Sequence, residues 1–258
     1  MLFSYFRALL PNDMDKNYEQ LYHNEEDHNW WFVSRRNMLM KLIDKYNIPK
    51  DAHILDIGCA SGVFLSELQE RGYKNLYALD YSAEAIEGVK KRGIPNAYVM
   101  DGHYPDFEEG KFDLIVSSDS LEHLEHDEVA LKNWYKILKK GGLGFVLVPA
   151  FNFLWTHHDD INYHFRRYTT ADLKEKTKKV GFNVLYWGYN YVLLFLPTAL
   201  VRLVMKQTQK NKEAKEGQIL QMPGWINKLL TALQNAENFF TKYIKFPFGV
   251  SAFVVVKK

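Results

Sequence analysis

The chain has 258 residues, 47% hydrophobic and 25% charged, a globular balance that excludes disordered, collagen-like and polytopic membrane chains. Its 33 Lys and Arg against 31 Asp and Glu leave a net charge of +2, too little for a protein that coats nucleic acid; no DNA partner is expected and an RNA partner is disfavoured. A single cysteine, Cys59, rules out an intramolecular disulfide or a cysteine-based zinc site and suits a reducing, cytoplasmic setting.

The opening stretch MLFSYFRALLP lacks the basic leader and small-residue cleavage site of a secretory signal. Residues 1–50 read as helices, the most regular stretch being NEEDHNWWFVSRRNMLMKLIDKY, and are expected to lie as a lid over one end of the fold. From residue 53 strand-like and helix-like runs alternate. HILDIG (53–58) is a strand and SGVFLSELQERG (61–72) a helix. NLYALD (75–80) precedes the helix SAEAIEGVKKRG (82–93), which opens on Ser82 and closes on a basic turn. NAYVMD (96–101) and FDLIVSSD (112–119) are strands, the latter apolar enough to be central. HDEVALKNWYKILKKGG (126–142) is predicted as a helix ended by glycine, and LGFVLVP (143–149) as the next strand. The helix TTADLKEKTKKVG (169–181), the strand FNVLYWGY (182–189) and a last strand GVSAFVVVKK (249–258) complete an α/β pattern.

Residues 190–248 interrupt the alternation with an aromatic-aliphatic stretch (191–205), a polar basic linker (206–217) and an amphipathic helix (224–245). The dense apolar part, Tyr191–Val201, is too short to span about 30 Å of hydrocarbon. The expected division is therefore a lid (1–50), a core (51–189), a helical insertion (190–248) and a final core strand (249–258).

ILDIGCASG, ending at Gly62, falls on a strand-to-helix turn, where missing side chains let backbone N–H groups approach a nucleotide-like ligand. A dinucleotide fingerprint needs glycine at 58, 60 and 63, but the chain has Gly58, Ala60 and Val63 and no Walker lysine. The segment instead resembles the first motif of class I S-adenosylmethionine (SAM)-dependent methyltransferases of the type 11/23 kind, similar to ubiquinone-type O-methyltransferases. The likeness runs in order across most of residues 53–189. It implies a Rossmann-like, seven-stranded, mostly parallel sheet with helices on both faces, and SAM as cofactor. By this resemblance Asp56, Gly58, Cys59, Ala60 and Gly62 surround the methionine part, with Ala60 replacing a commoner glycine. Asp80 accepts from the ribose hydroxyls, Tyr81 stacks beside adenine, Asp101 with Gly102 receives the adenine amino group, and Ser118 lines the same crevice. Arg35, in the Trp30-Trp31-Phe32…Arg35-Arg36 segment, is expected at the methionine carboxylate; packing of both tryptophans on the sheet edge is the other reading of that segment.

After the fourth strand comes Asp119-Ser120-Leu121-Glu122-His123, at the carboxyl end of the sheet where substrates of such folds bind. A helical turn would set Asp119 and Glu122 on one side, with His123 adjacent. The spacing resembles the Glu-x-x-Glu-His segment of ubiquinone-type O-methyltransferases and small-RNA 2′-O-methyltransferases, which implies a divalent-metal set of Asp119, Glu122, His123 and His164. Two metal-free readings stand beside it: His123 as the base that takes a hydroxyl proton, oriented by Asp119 or Glu122, or His123 as a helix cap. Trp155, His164, Arg167 and Tyr168 are expected to line the acceptor, the arginine meeting a carboxylate or phosphate or else forming a surface salt bridge. His157, His158, Asp159 and Asp160 are consecutive, and consecutive residues rarely converge on one metal.

The expected activity is O-methylation of a small-molecule or lipid-linked acceptor, with an RNA methyltransferase or a non-catalytic SAM-binding subunit as rivals. The apolar run of the insertion beside Arg202, Lys206, Lys210, Lys212 and Lys215 points to peripheral contact with the inner face of a membrane through 190–215, or else to a core helix or dimer contact.

Overall fold

The short apolar runs do form strands, and all seven join one sheet in this computed structural model, which describes residues 22–208, 222–240 and 244–258. They are β1 (His53–Ile57), β2 (Asn75–Asp80), β3 (Asn96–Val99), β4 (Phe112–Ser118), β5 (Leu138–Pro149), β6 (Asn183–Asn190) and β7 (Ser251–Lys257), in spatial order β3-β2-β1-β4-β5-β7-β6. Neighbours from β3 through β5 run parallel, whereas β7 lies antiparallel between β5 and β6. The strand order reverses between β1 and β4, and their carboxyl ends open the crevice where ligands of such sheets bind. Ile54, Leu55, Ile57, Leu114 and Val116 are wholly buried, because helices cover both faces of the central strands and each face carries its own apolar core.

The helices are α1 (Trp30–Lys45), α2 (Val63–Glu70), α3 (Ala83–Lys91), α4 (Asp127–Ile137), α5 (His157–Ile161), α6 (Thr170–Val180), α7 (Phe195–Thr208) and α8 (Gly224–Phe240). Ser82 caps α3 by accepting from the Ala85 amide; Thr169 and Asp172 form a capping box on α6, which ends at Gly181 with φ 112°. The helix expected over 126–142 stops earlier, at Ile137. Leu138 already pairs with Phe112 across a register shift in β4, and both side chains are fully buried. That burial outweighs another helical turn, and Gly141, at φ 84°, bends the strand rather than capping a helix.

The stretch NEEDHNWWFVSRRNMLMKLIDKY is interrupted: a short helical segment at 22–26 ends before Asn29, which caps α1 by accepting from the Trp31 amide. The break lets that segment reach the glycine loop, where the Glu26 carboxylate accepts from both the amide and the hydroxyl of Ser61. Arg92 clamps Asp27 at 2.9 Å, and Arg36 holds Glu67 at 2.7 Å. α8 lies on α1, with Asn227 accepting from the Trp30 amide and Asn235 accepting from Asn37. Trp31 stacks on the buried Tyr191 ring at 4.1 Å, so the tryptophan pair packs against the start of the insertion. MLFSYFRALLP and residues 209–217 of the basic linker lie outside the described residues. Among the described residues, no helix is long and apolar enough to cross a membrane.

Candidate active site

The turn after β1 requires its glycines. Gly58 has φ 74°, and a Cβ there would lie 2.5 Å from the Cβ of Ser120; Gly62, at φ 80°, opens α2 against Val89, whose Cγ2 would sit 2.8 Å from an added Cβ. The amides of this loop are turned to the chain's own acceptors. Gly58 and Cys59 donate to the Leu79 carbonyl, Ala60 to the Asp80 carboxylate at 3.0 Å, and Ser61 to Glu26 at 3.0 Å. A phosphate cradle would aim those N–H groups at its ligand, whereas here carboxylates rim the loop. Burial, with Glu26 and Asp80 nearby, drives the Asp56 carboxyl up to about 8. Such a rim suits a cationic ligand rather than a nucleotide phosphate. Cys59 is buried and its thiol is pushed well up, so the thiol stays protonated and unreactive.

The other expected cofactor positions lie along the same edge. Asp80 ends β2, its second oxygen accepting from the Ser82 amide at 2.9 Å, and Tyr81 beside it is 46% exposed. Asp101 accepts from the amide and ring of His103, which hold its carboxyl below the usual range against the opposing effect of burial. Gly102 is packed under Leu124 and Ile57, and its carbonyl accepts from Trp134. At the end of β4, Ser117 Oγ, Ser118 Oγ, Asp119 Oδ1 and both oxygens of Glu122 are buried without a hydrogen-bond partner among the described residues. Orphaned buried acceptors are rare in folded chains. With the glycine cradle and acidic rim, they fit a polar, cationic cofactor such as SAM.

Glu122, His123 and His164 converge: one ligand-capable atom from each lies within 4.8 Å of the others, and the two imidazoles meet edge to face at 4.6 Å between centroids. A 3-10 turn, Leu121–His123, presents the first two. The third comes from the segment after α5, pinned by the Phe165 amide donating to the Glu122 carbonyl at 2.8 Å. Burial drives the Glu122 carboxyl up to about 8, so it is mostly protonated at neutral pH. Burial and the facing His164 ring push His123 down to about 3, leaving it neutral. Asp159 is fully buried, yet four partners keep it ionised: His164, Arg167, Arg202 and the Thr156 amide. His164 Nδ1 therefore donates to the ionised Asp159 at 2.9 Å, which fixes the orientation of its ring. Among the described residues, Glu122, His123 and His164 are the group that could hold a divalent cation.

Four expectations change. Asp119 does not join that cluster: at φ 52° it turns out of the helical path and pairs with Arg35. Arg35, expected at the methionine carboxylate, is therefore neutralised inside the chain and packs over Trp31. Arg167, expected at the acceptor, is 4% exposed and held by Asp159 and the Ala150 carbonyl. Tyr168, 1% exposed, gives its hydroxyl to Asp127 at 2.8 Å. Trp155 does remain partly exposed beside His164, its indole N–H donating to Asp160.

Sequence comparison now bears on this edge of the sheet: the signature of the methyltransferase-domain family matches residues 3–186. The chain belongs to that family. It carries a class I SAM-dependent methyltransferase domain, with SAM as cofactor. EEF1A lysine methyltransferase 2 of Homo sapiens is 30% identical over 148 residues, which cover 52% of this chain and 61% of that protein. The ribosomal protein L11 methyltransferase of Clostridium botulinum is 29% identical over 112 residues, 41% of this chain and 34% of its own length. The chain thus spans about three fifths or less of the curated relatives it matches. A SAM-dependent methyltransferase from Archaeoglobus fulgidus superposes with a TM-score of 0.53 at 17% identity, over 86% of this chain and 94% of the other. The [4+2]-cyclase SpnF gives 0.61 at 14% identity over 96% and 98%; likeness at that level speaks for the fold alone.

Proposed function

We propose that the chain methylates a hydroxyl oxygen of a small-molecule acceptor, bound at the carboxyl end of β4 between the glycine loop and Trp155. The observation that carries this reading is the convergence of Glu122, His123 and His164, with burial holding the first two neutral. SAM, when bound, supplies a sulfonium-activated methyl group. The chain's part is to align the acceptor and to take one proton. One His123 ring nitrogen donates to the Asn162 carbonyl, and the other is free to accept. A hydroxyl proton becomes strongly acidic only as the new O–C bond forms, so a base that is weak at rest can receive it in the transition state. A lysine ammonium, by contrast, must shed its proton before it can attack, and a histidine held near pKa 3 is a poor acceptor for that step. This separates the reading from protein lysine methylation, which the 30% identity to EEF1A lysine methyltransferase 2 favours.

Tritiated SAM incubated with fractionated extract tests it. Label should enter small molecules as a methoxy group, and His123→Ala should cut turnover about 10²- to 10⁴-fold while leaving S-adenosylhomocysteine affinity unchanged. Label found in protein as methyllysine overturns the proposal. A manganese or zinc titration of the same reaction shows whether the three clustered side chains take a cation.

A further inference from the structure

The insertion is folded with its apolar side outward. On α7, Leu196, Leu200 and Leu203 are 71%, 66% and 49% exposed, while the one arginine of the helix, Arg202, turns inward to Asp159 at 3.1 Å and to the Leu154 carbonyl. On α8, Trp225, Leu229, Leu233 and Phe240 face outward at 70%, 59%, 40% and 52% exposure. Its inward face is polar: Gln234, Glu237 and Asn238 are almost fully buried, with Glu237 accepting from the Val192 and Leu193 amides and Gln234 donating to Asn190. A water-facing helix normally shows the opposite arrangement, and apolar patches of this kind mark a surface that something covers.

We propose that the outward faces of α7 and α8 form a docking surface for an anionic phospholipid bilayer, lying in the plane of the headgroup–acyl boundary. Residues 190–248 contain eight lysines and arginines against three glutamates; with the inward-turned Arg202 and the buried Glu237 set aside, seven stand against two, although the whole chain carries only +2. Lys206 and Lys228 are exposed on the two helices. Leucines and a tryptophan beside lysines match acyl chains beneath anionic headgroups. A second copy in two-fold contact would set this same cationic patch against itself. No described helix can cross the bilayer, so the contact is superficial. Arg202 also ties the surface to the active site, since it shares Asp159 with His164, so docking fixes which side of the catalytic domain faces the lipid. The inference goes beyond the acceptor chemistry proposed above and does not depend on it.

Co-sedimentation of the full chain with phosphatidylcholine vesicles, with and without phosphatidylglycerol, tests the surface. Binding should rise about tenfold with the anionic lipid and weaken with salt, and brominated lipid should quench the Trp225 share of the fluorescence, identified with Trp225→Phe. Leu200→Glu with Leu229→Glu should abolish vesicle binding, and Lys206→Glu with Lys228→Glu should remove its dependence on phosphatidylglycerol. Both variants should retain S-adenosylhomocysteine affinity, which separates lost docking from lost fold. Absence of vesicle binding, binding untouched by the leucine substitutions, or a concentration-dependent dimer that those substitutions dissolve would each overturn the proposal.

Discussion

At Gly58 backbone and packing constraints coincide: φ is 74°, and an added Cβ would stand 2.5 Å from Ser120. Gly58→Ala should therefore lower S-adenosylhomocysteine affinity at least about tenfold, the cost of strain in a left-handed backbone plus displacement of the β4 turn; calorimetry giving unchanged affinity would remove Gly58 from the cofactor site. This position was legible because glycine at a strand-to-helix turn is a local signal. The role of Asp119 was not, since a spacing of three predicts a shared side only if the turn is helical, and the left-handed φ at Asp119 breaks it. Glu26 had no local signal at all. It meets Ser61 across 35 residues, and only the break before Asn29 brings it there.

Asp159 joins three elements. It lies in α5, receives Arg167 from the strand-like approach to α6, and receives Arg202 from α7, while holding His164 beside His123. Removing one member of a buried charge network leaves the others uncompensated. Asp159→Ala should cost about 3 to 5 kcal/mol of stability, read as a shift of the urea midpoint; a loss below about 1 kcal/mol would mean that water already screens the cluster. Part of this hub was readable: Thr156-x-x-Asp159 is a capping-box spacing, and the box forms. The lone arginine in the apolar run of α7 was a second clue, for a solitary charge amid leucines needs a partner. What sequence periodicity could not supply was direction. It located the apolar runs of α7 and α8, but whether such a run faces a core or solvent depends on what packs against the opposite side: for α8 a polar network with α1 and the end of β6, and for α7 the contact of Arg202 with Asp159.

Over the whole molecule, buried titratable groups set how stability varies with pH. Asp56 and Glu122 rise to about 8 from 3.8 and 4.5, so between those limits the folded chain holds protons that the unfolded chain has released, and stability falls as pH rises. His123 and His158 drop to about 3 and about 4 from 6.5, so below 6.5 the unfolded chain holds protons that the folded one lacks, and stability rises with pH. The two effects oppose each other up to about 6.5, and only the carboxyl effect operates from there to about 8. The ligand-free protein should thus show a flat stability profile in weak acid and a decline from about pH 6.5 to about 8, which Glu122→Gln makes shallower. A urea midpoint that instead climbs across that interval would contradict the burial of both carboxyls.

The sequence by itself determined the α/β class, the seven strands, the helix caps and the glycine loop with its ordered strand-end acids, because each is written in a run of at most about a dozen neighbouring residues. The tertiary structure alone decided that Arg35 answers Asp119, that Arg167 and Tyr168 serve the scaffold, and that His164 joins Glu122 and His123. It also decided that the insertion turns its leucines outward. Each of these depends on which distant side chain reaches a buried charge first, and a buried charge accepts whatever partner the fold delivers.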